Sequence, residues 1–325
     1  MTSYTHPYTR VPFLHTYSID PASGTISYTY PYDRLDALRR INPTNTPWHP
    51  TKGQDFGYTF TYIGFFWDIA ARCVSLSENK RLKFLGHVRA FVTDFGANRC
   101  KATHVMKLHG SLCHITFVHR LGRSYLTALS SFVASFEGNN HVARYPPPSV
   151  FTVLKWWDAT LSVPNTSRAI IPRGPLIDRH LFVDASTDWG IGILLEGHWD
   201  AWRGKGGWKS ASRHIGWLEC VTVELLIYAI EERGWHDCYL LVHSDNQGVI
   251  GAFDKGRSRN HEMNLSIRRS HYVPAARNIT LELLYIPSAE NPADPISRGD
   301  VGAVVSRLPP NNSFPDDLLP YFEHV

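Results

Sequence analysis

The sequence predicts an α/β protein in which a mixed β-sheet flanked by helices follows a β-hairpin and a helical bundle. Two observations predict this order. Between residues 57 and 163, an aromatic and β-branched stretch precedes four segments with apolar residues at helical spacing. After residue 170, three short strand-like segments precede a helix, a strand, a helical stretch and a final strand.

Changes in composition divide the 325 residues into four predicted parts. Residues 1–55, rich in Pro, Thr, Tyr and Asn, are expected to form an extended arm with few regular elements. Residues 56–170 are predicted to form the hairpin and helical domain, residues 171–300 the sheet domain, and residues 301–325 a proline-rich tail. A chain of this length can bury two hydrophobic cores.

The elements of the hairpin and helical domain follow from spacing and capping residues. The hairpin is predicted within residues 57–76, with its turn near Ala70 and Ala71. Four helices are expected, the first capped by Ser77, the second from Thr103 to about Leu121, the third from about Ser124 to Phe136, and the fourth after the proline cluster 146–148.

The sheet domain begins with a predicted meander of three strands, HLFVDAS, GILLEG and WDAWRG. A helix is expected from Glu219 to Arg233, followed by the buried strand CYLLVHS. Helices beginning at Gln247 and Glu262 precede the last strand, ITLELLYI. This order of strands and helices gives a mixed sheet covered by helices, which is the α/β class. The crossovers between parallel strands are expected to be right-handed.

Composition limits the class of protein. Apolar residues make up 43% of the chain and charged residues 19%, with a formal charge of +4, so a folded globular protein is expected. Five cysteines without a C-x-x-C pair argue against a disulfide framework or zinc knuckle and favour a reducing compartment. Neither a signal peptide nor an apolar membrane span is present, so we expect a soluble intracellular protein, nuclear or cytoplasmic, with no membrane partner.

Four acidic residues are placed where a metal site would form. Asp184 stands inside a strand between apolar neighbours, where an aspartate is costly unless it is paired or binds a cation. Asp245 ends a buried strand, and ligands collect at the carboxyl ends of strands in α/β folds. Glu219 lies near the start of a helix that must cover the sheet, and Asp294 follows the last strand. These four carboxylates are therefore candidates for one cluster.

Carboxylates this close would repel and raise each other's pKa unless hard cations compensate their charge. Oxygen ligands favour Mg²⁺ or Mn²⁺. Two such ions about 4 Å apart activate a water and stabilise the leaving oxygen of a phosphodiester. The predicted chemistry is that of a nuclease.

The segments FVDASTDWGIG, HIGWLECVTVELLIYAI, HSDNQGVIGAFDKGRSRN and IPSAENPADPISRG resemble the four acidic motifs of ribonuclease H domains in eukaryotic, especially fungal, retroelement polyproteins. The order and spacing of these segments match those of the family's motifs over residues 179–299. The resemblance implies a ribonuclease-H-like fold, with Asp184 bridging two metal ions, Glu219 and Asp245 as further ligands, and Asp294 as the fourth. It favours Glu219 over the nearby Glu224, and it implies products with a 5′-phosphate and a 3′-hydroxyl.

The segments YIGFFWDIAARCVSLSENKRLKFL and LHGSLCHITFVHRLGRSYL resemble, less closely, the thumb and connection region that follows the polymerase palm in the same elements. Polymerisation needs an aspartate pair on a palm hairpin. The sequence has one Asp-Asp pair, Asp316 and Asp317, in the proline-rich tail. DNA synthesis by this chain alone is therefore not expected.

Candidate substrate contacts surround these motifs, and each has a plainer alternative. Asn246 can bond a substrate 2′-hydroxyl or cap a helix. Arginines 257, 259, 268 and 269 can contact phosphates or belong to a solvated basic face. His261 can help protons or product to leave. The predicted substrate-binding residues are Ser186, Asn246, Arg257, Arg259, Asn260 and His261.

We therefore predict a metal-dependent endonuclease that hydrolyses the RNA strand of RNA·DNA hybrids and derives from a retroelement polyprotein. The alternative is a domesticated, non-cleaving nucleic-acid-binding or scaffold module that keeps the fold. A third possibility is one subunit of a polymerase assembled with a separate palm. Sequence reasoning leaves these alternatives open.

Overall fold

The computed structural model describes residues 57–170, 174–301, 303, 306–309 and 314–325, together with the backbone of four short strands near the amino terminus. Residues 1–60 and 61–325 form two compact units. In the first, β1 (Tyr4–Thr5) pairs with β2 (Pro12–Phe13), and β3 (Thr16–Ile19) pairs with β4 (Ile26–Thr29), both antiparallel. The other residues of the predicted arm, and residues 171–173 next to the predicted domain boundary, lie outside the described residues.

The predicted hairpin is part of a small four-stranded sheet. Its strands are β5 (Thr59–Tyr62), β6 (Phe65–Asp68), β7 (Cys73–Leu76) and, after the helices, β10 (Ser167–Ala169). The order across the sheet is β10-β7-β6-β5. The predicted turn at Ala70 and Ala71 is confirmed, because it joins β6 to β7. A second turn at Ile63 and Gly64, both at positive φ, was missed.

All four predicted helices of the bundle are present. They are α1 (Glu78–Phe95), α2 (Ala102–Ile115), α3 (Thr127–Ala134) and α4 (Pro148–Ser162). The chain also forms the short strands β8 (Cys100–Lys101) and β9 (Ala143–Arg144) and a 3₁₀ segment, Arg120–Leu126. Helix α2 ends earlier than predicted, where the Thr116 hydroxyl donates back to the Cys113 carbonyl at 2.8 Å.

The bundle has its own apolar core, which forms where the helices turn one face inward. Leu112, Leu129 and Leu154 are fully buried there, together with the large indole of Trp157. The 3₁₀ segment passes directly over this indole at Gly122, where an added Cβ would overlap the Trp157 ring. Glycine is therefore required at position 122 because the backbone touches the core.

The second region contains a six-stranded mixed sheet with the order β15-β14-β11-β12-β13-β16. Its strands are β11 (Leu176–Ala185), β12 (Gly190–Leu195), β13 (His198–Gly204), β14 (Tyr239–Ser244), β15 (Thr280–Tyr285) and β16 (Phe322–His324). The first three form the predicted antiparallel meander, while β14 runs parallel to β11 and β15 parallel to β14. This arrangement confirms the predicted ribonuclease-H-like α/β class.

Helices cover and flank this sheet. They are α5 (Ile215–Glu232), α6 (Gln247–Lys255), α7 (His261–Ser270), α8 (Tyr272–Arg277) and the short α9 (Asp294–Ser297). Every residue of α5 from Trp217 to Ile230 is buried, as expected for a helix packed on all sides. It begins four residues before the predicted start because the His214 ring accepts a hydrogen bond from the Gly216 backbone N–H. No helix among the described residues has the length and apolar content needed to cross a bilayer.

The carboxyl-terminal strand β16 was not foreseen within the proline-rich tail. It pairs antiparallel with β13, and Phe322 is 2% exposed, with its ring 5.6 Å from that of Trp217. The His324 ring bonds the buried Asp200 carboxylate at 2.8 Å. One apolar side chain and one polar anchor therefore dock the end of the chain on the sheet.

Truncation of Phe322 to alanine should lower the free energy of unfolding by about 3–5 kcal/mol, because it removes a buried ring from the sheet core. Urea denaturation followed by tryptophan fluorescence measures this loss. Leu319→Ala is the matched control in the same tail, since Leu319 is 50% exposed. Equal stability of the two variants would show that the tail does not contribute to the core.

Candidate metal centre

Asp184 is positioned by a buried strand and by the close approach of α9. It lies one residue before the end of β11, is 3% exposed, and faces Gly192 of β12 across the ladder. A Cβ on Gly192 would lie 2.6 Å from the Ser297 backbone nitrogen and 2.9 Å from the side chain of Ile296. The glycine thus allows α9 to pack against the strand beside Asp184.

Two neutral side chains hold the Asp184 carboxylate. The Ser297 hydroxyl donates to Oδ2, and the Asn291 amide donates to Oδ1 at 3.3 Å and to the Val183 carbonyl at 2.9 Å. Both side chains are buried. Neither was predicted from the sequence, although both lie beside Asp294 in the segment NPADPIS. These donors orient Asp184 without neutralising its charge.

Glu219 reaches the same place from the first turns of α5. It is 4% exposed, and the backbone N–H of Ala185 donates a hydrogen bond to its carboxylate. Its buried Oε2 has no hydrogen-bond partner among the described residues. A buried carboxylate oxygen without a donor is costly, and a cation is the partner that its charge requires.

Asp245 completes the cluster. It follows the last residue of β14 and is half-buried. One ligand oxygen from each of Asp184, Glu219 and Asp245 lies within 4.8 Å of the others. Because three hard oxygen ligands converge, this triad can hold a divalent metal ion. Three of the four carboxylates named as candidates for one cluster are thus brought together.

Burial and mutual repulsion perturb both buried acids. Burial raises the pKa of Asp184 to about 7, assisted by the charges of Asp245 and Asp294 and opposed by the hydrogen bond from Ser297. Burial raises the pKa of Glu219 to about 9, and Asp184 and Asp245 reinforce the shift. The triad therefore carries its full negative charge at neutral pH only when a cation compensates it.

The fourth predicted ligand, Asp294, does not join the triad. Its two carboxylate oxygens accept hydrogen bonds from Nη2 and Nε of Arg298, both at 2.9 Å, and the Ser288 hydroxyl donates at 3.3 Å. The Arg298 guanidinium lowers the pKa of Asp294. Asp294 therefore lies outside the group of three carboxylates whose oxygens converge, and it forms an ion pair with Arg298. Its role as the fourth ligand stays a prediction. Its charge still raises the pKa of Asp184.

Glu224, the alternative to Glu219, has a different role. It is fully buried and forms a two-point ion pair with Arg269 at 2.6 and 2.9 Å. The hydroxyls of Ser266 and Tyr228 donate to the same carboxylate. Glu224 therefore joins α5 to α7, and it pairs the Arg269 guanidinium that the sequence suggested as a phosphate contact.

Arg268, the other arginine of α7 suggested as a phosphate contact, also has partners inside the protein. Its guanidinium carbon lies 4.2 Å from the centre of the Tyr125 ring, and Nη2 donates to the Ser124 carbonyl at 2.9 Å. The Asn264 amide donates to the same carbonyl at 2.9 Å. Arg268 therefore attaches α7 to the 3₁₀ segment of the bundle.

Three of the predicted substrate contacts have local structural partners. The Ser186 hydroxyl accepts from the Asp188 N–H in the turn after β11. Asn246 caps α6 by accepting from the Val249 N–H, which is the alternative considered for it. Asn260 caps α7 through Met263, and its amide donates to the Ser212 carbonyl. The remaining three are exposed to solvent, namely Arg257, Arg259 and His261.

Among the solved structures to which this chain is similar are two of a foamy viral protease-reverse transcriptase. No protein-family model and no curated protein match the chain. The foamy viral protease-reverse transcriptase in complex with RNA/DNA hybrid overlaps 79% of this chain, with a TM-score of 0.27 and 17% identity. The foamy viral protease-reverse transcriptase dRH in complex with ds DNA overlaps 71%, with a TM-score of 0.28 and 16% identity. The chain spans about a third of those proteins, 32% and 38%, and TM-scores this low establish no family.

The raised pKa values predict how stability depends on pH. A carboxyl whose pKa is higher in the folded than in the unfolded state stabilises the fold at low pH. In EDTA, the free energy of unfolding should therefore fall by roughly 2 kcal/mol or more as pH rises from about 6 to about 9. Mg²⁺ should reduce this loss, because it compensates the ionised triad.

Urea denaturation over a pH series, with EDTA or with Mg²⁺, measures the effect. Asp184→Asn and Glu219→Gln should flatten the profile in EDTA. Asp254→Asn is the control, because Asp254 is exposed on α6. Identical slopes in EDTA and Mg²⁺ would contradict the assignment of the triad as a metal site.

Proposed function

We propose that this chain is a metal-dependent endonuclease that hydrolyses the RNA strand of RNA·DNA hybrids. The observation that supports the proposal is the buried triad of Asp184, Glu219 and Asp245, with its raised pKa values and the unpartnered Glu219 oxygen. Buried carboxylates whose charge is not compensated within the protein are typical of sites that hold hard cations.

The triad would hold two Mg²⁺ or Mn²⁺ ions, and Asp294 would be the fourth ligand. When bound, such ions make a water nucleophilic and stabilise the oxygen that leaves the phosphodiester. The chain's own residues orient the ligands. Asn291 and Ser297 hold Asp184, the Ala185 N–H holds Glu219, and Arg298 holds Asp294.

The exposed residues between α6 and α7 are the proposed substrate contacts. Arg257 and Arg259 carry positive charge on this loop and would bind the phosphates of the hybrid. His261 is exposed at the first position of α7 and would accept or release protons near the product. Asn246 uses its oxygen to cap α6, so its amide N–H₂ would be the group offered to a ribose 2′-hydroxyl.

The helical domain would then grip the duplex, and the source would be a retroelement polyprotein. Polymerisation would need a palm supplied by a separate chain. Co-purification with such a subunit would support that arrangement. The hydrolytic proposal itself requires no second chain.

Cleavage of a hybrid with end-labelled RNA in Mg²⁺ tests the proposal. We expect products that carry a 5′-phosphate and a 3′-hydroxyl, and no cleavage of single-stranded RNA or duplex DNA. Asp184→Asn and Asp245→Asn should each reduce the rate at least about a hundredfold, because a metal ligand is lost. Asp294→Asn should also reduce the rate, because the proposed fourth ligand is lost.

Asp254→Asn, on the exposed face of α6, is the control and should cleave at the rate of the unmutated chain. Cleavage that persists in Asp184→Asn would show that a contaminating nuclease is responsible. An unmutated chain that binds Mn²⁺ and hybrid but leaves the RNA intact would contradict catalysis and support a non-cleaving binding module.

A further inference from the structure

The helical domain contains an open groove of about 680 Å³ that the proposed hydrolysis does not use. Its floor is one face of α3 and the residue after it, where Ala128, Ser131 and Ser135 recur at steps of three and four residues beside the buried Phe132. Side chains this small cannot fill the space above the helix. The groove is therefore open because of the sequence of α3.

The wall opposite α3 is set by the register of β8 and β9. Cys100 pairs with Arg144, so the residues that flank this pair, Arg99 and Tyr145, also meet. The Arg99 guanidinium carbon lies 5.1 Å from the centre of the Tyr145 ring. The Arg144 guanidinium carbon lies 6.0 Å from the Phe136 ring. Two arginines and an exposed tyrosine thus line one side of the groove.

The charge of the groove is entirely positive. No acidic residue is among its lining residues, and in the described part of the chain neither Arg99 nor Arg144 has an ion-pair partner. The hydroxyls of Ser131 and Ser149 also line the groove. Ser149 lies in the first turn of the 15-residue helix α4, where the helix dipole adds positive potential. This chemistry suits an anion that bears several acceptor oxygens.

Tyr145 indicates which chemical group of the ligand lies beside the anion. Its side chain is 60% exposed although it stands in the groove wall, so a face of the ring is accessible. Aromatic rings beside a positive groove stack on the bases of single strands, whereas the bases of a duplex are already stacked on each other. The combination favours a single strand over a duplex.

We propose that this groove binds a short single-stranded segment of nucleic acid, with its phosphates on Arg99 and Arg144 and a base stacked on Tyr145. The residues that line the groove lie between positions 99 and 149, and none of them belongs to the acidic triad. Binding there is independent of hydrolysis. The groove would hold a nucleic-acid strand that is not paired in the hybrid.

Fluorescence anisotropy with labelled oligothymidylate and the full chain in EDTA tests this site without any cleavage. Replacing Arg99 and Arg144 together by glutamine should raise Kd about tenfold or more. It should also reduce the slope of log K against log salt by about 1.4, since two phosphate contacts to a single strand are lost. Tyr145→Ala should raise Kd at least about fivefold, while Tyr145→Phe should keep the affinity because it keeps the ring.

The matched control replaces Lys83 and Lys155 by glutamine, an equal loss of charge at two exposed positions of α1 and α4. It should change Kd by less than about twofold. An equal loss of affinity in both double variants would overturn the proposal in favour of diffuse electrostatic binding. Equally effective competition by a DNA duplex, or by thymidine 5′-monophosphate, would overturn the assignment to a single strand. Failure of hybrid cleavage has no bearing on this result.

Discussion

The burial of like-charged carboxylates is the constraint on which the rest of the site depends. Asp184 and Glu219 are almost fully buried, yet they lie beside Asp245. In the described part of the chain, no lysine or arginine forms an ion pair with either buried acid. Two neutral donors, Asn291 and Ser297, orient Asp184. Their dipoles do not cancel the charge of its carboxylate. Such an arrangement is costly in the isolated chain and favourable with a hard divalent cation.

The fold holds these acids in place because they belong to its most buried elements. Asp184 is part of the central strand β11, and Glu219 belongs to α5, which is buried on all sides. Neither acid can move away without disrupting a core strand or a core helix. The ion pair between Glu224 and Arg269 adds to this rigidity because it joins α5 to α7. The cluster is thus maintained by the packing of the whole sheet domain.

Sequence reasoning predicts the features that depend on local pattern. Alternating and helical periodicities identify the strands and helices in order, and an aspartate between apolar residues identifies Asp184. It does not predict pairings between distant positions. The ion pair of Glu224 with Arg269, the stacking of Arg268 on Tyr125 and the docking of β16 each join residues far apart in the chain. The ion pair of Asp294 with Arg298 is local, but both side chains are also compatible with other partners.

Soaking crystals of the full chain with Mn²⁺ and collecting data at the manganese absorption edge would show directly whether the triad binds a divalent ion. We expect anomalous density about 2.2 Å from carboxylate oxygens of Asp184, Glu219 and Asp245. Crystals of Asp184→Asn should lose that density or show it weakened. Manganese bound elsewhere, with none at these three carboxylates, would show that the triad is not a metal site.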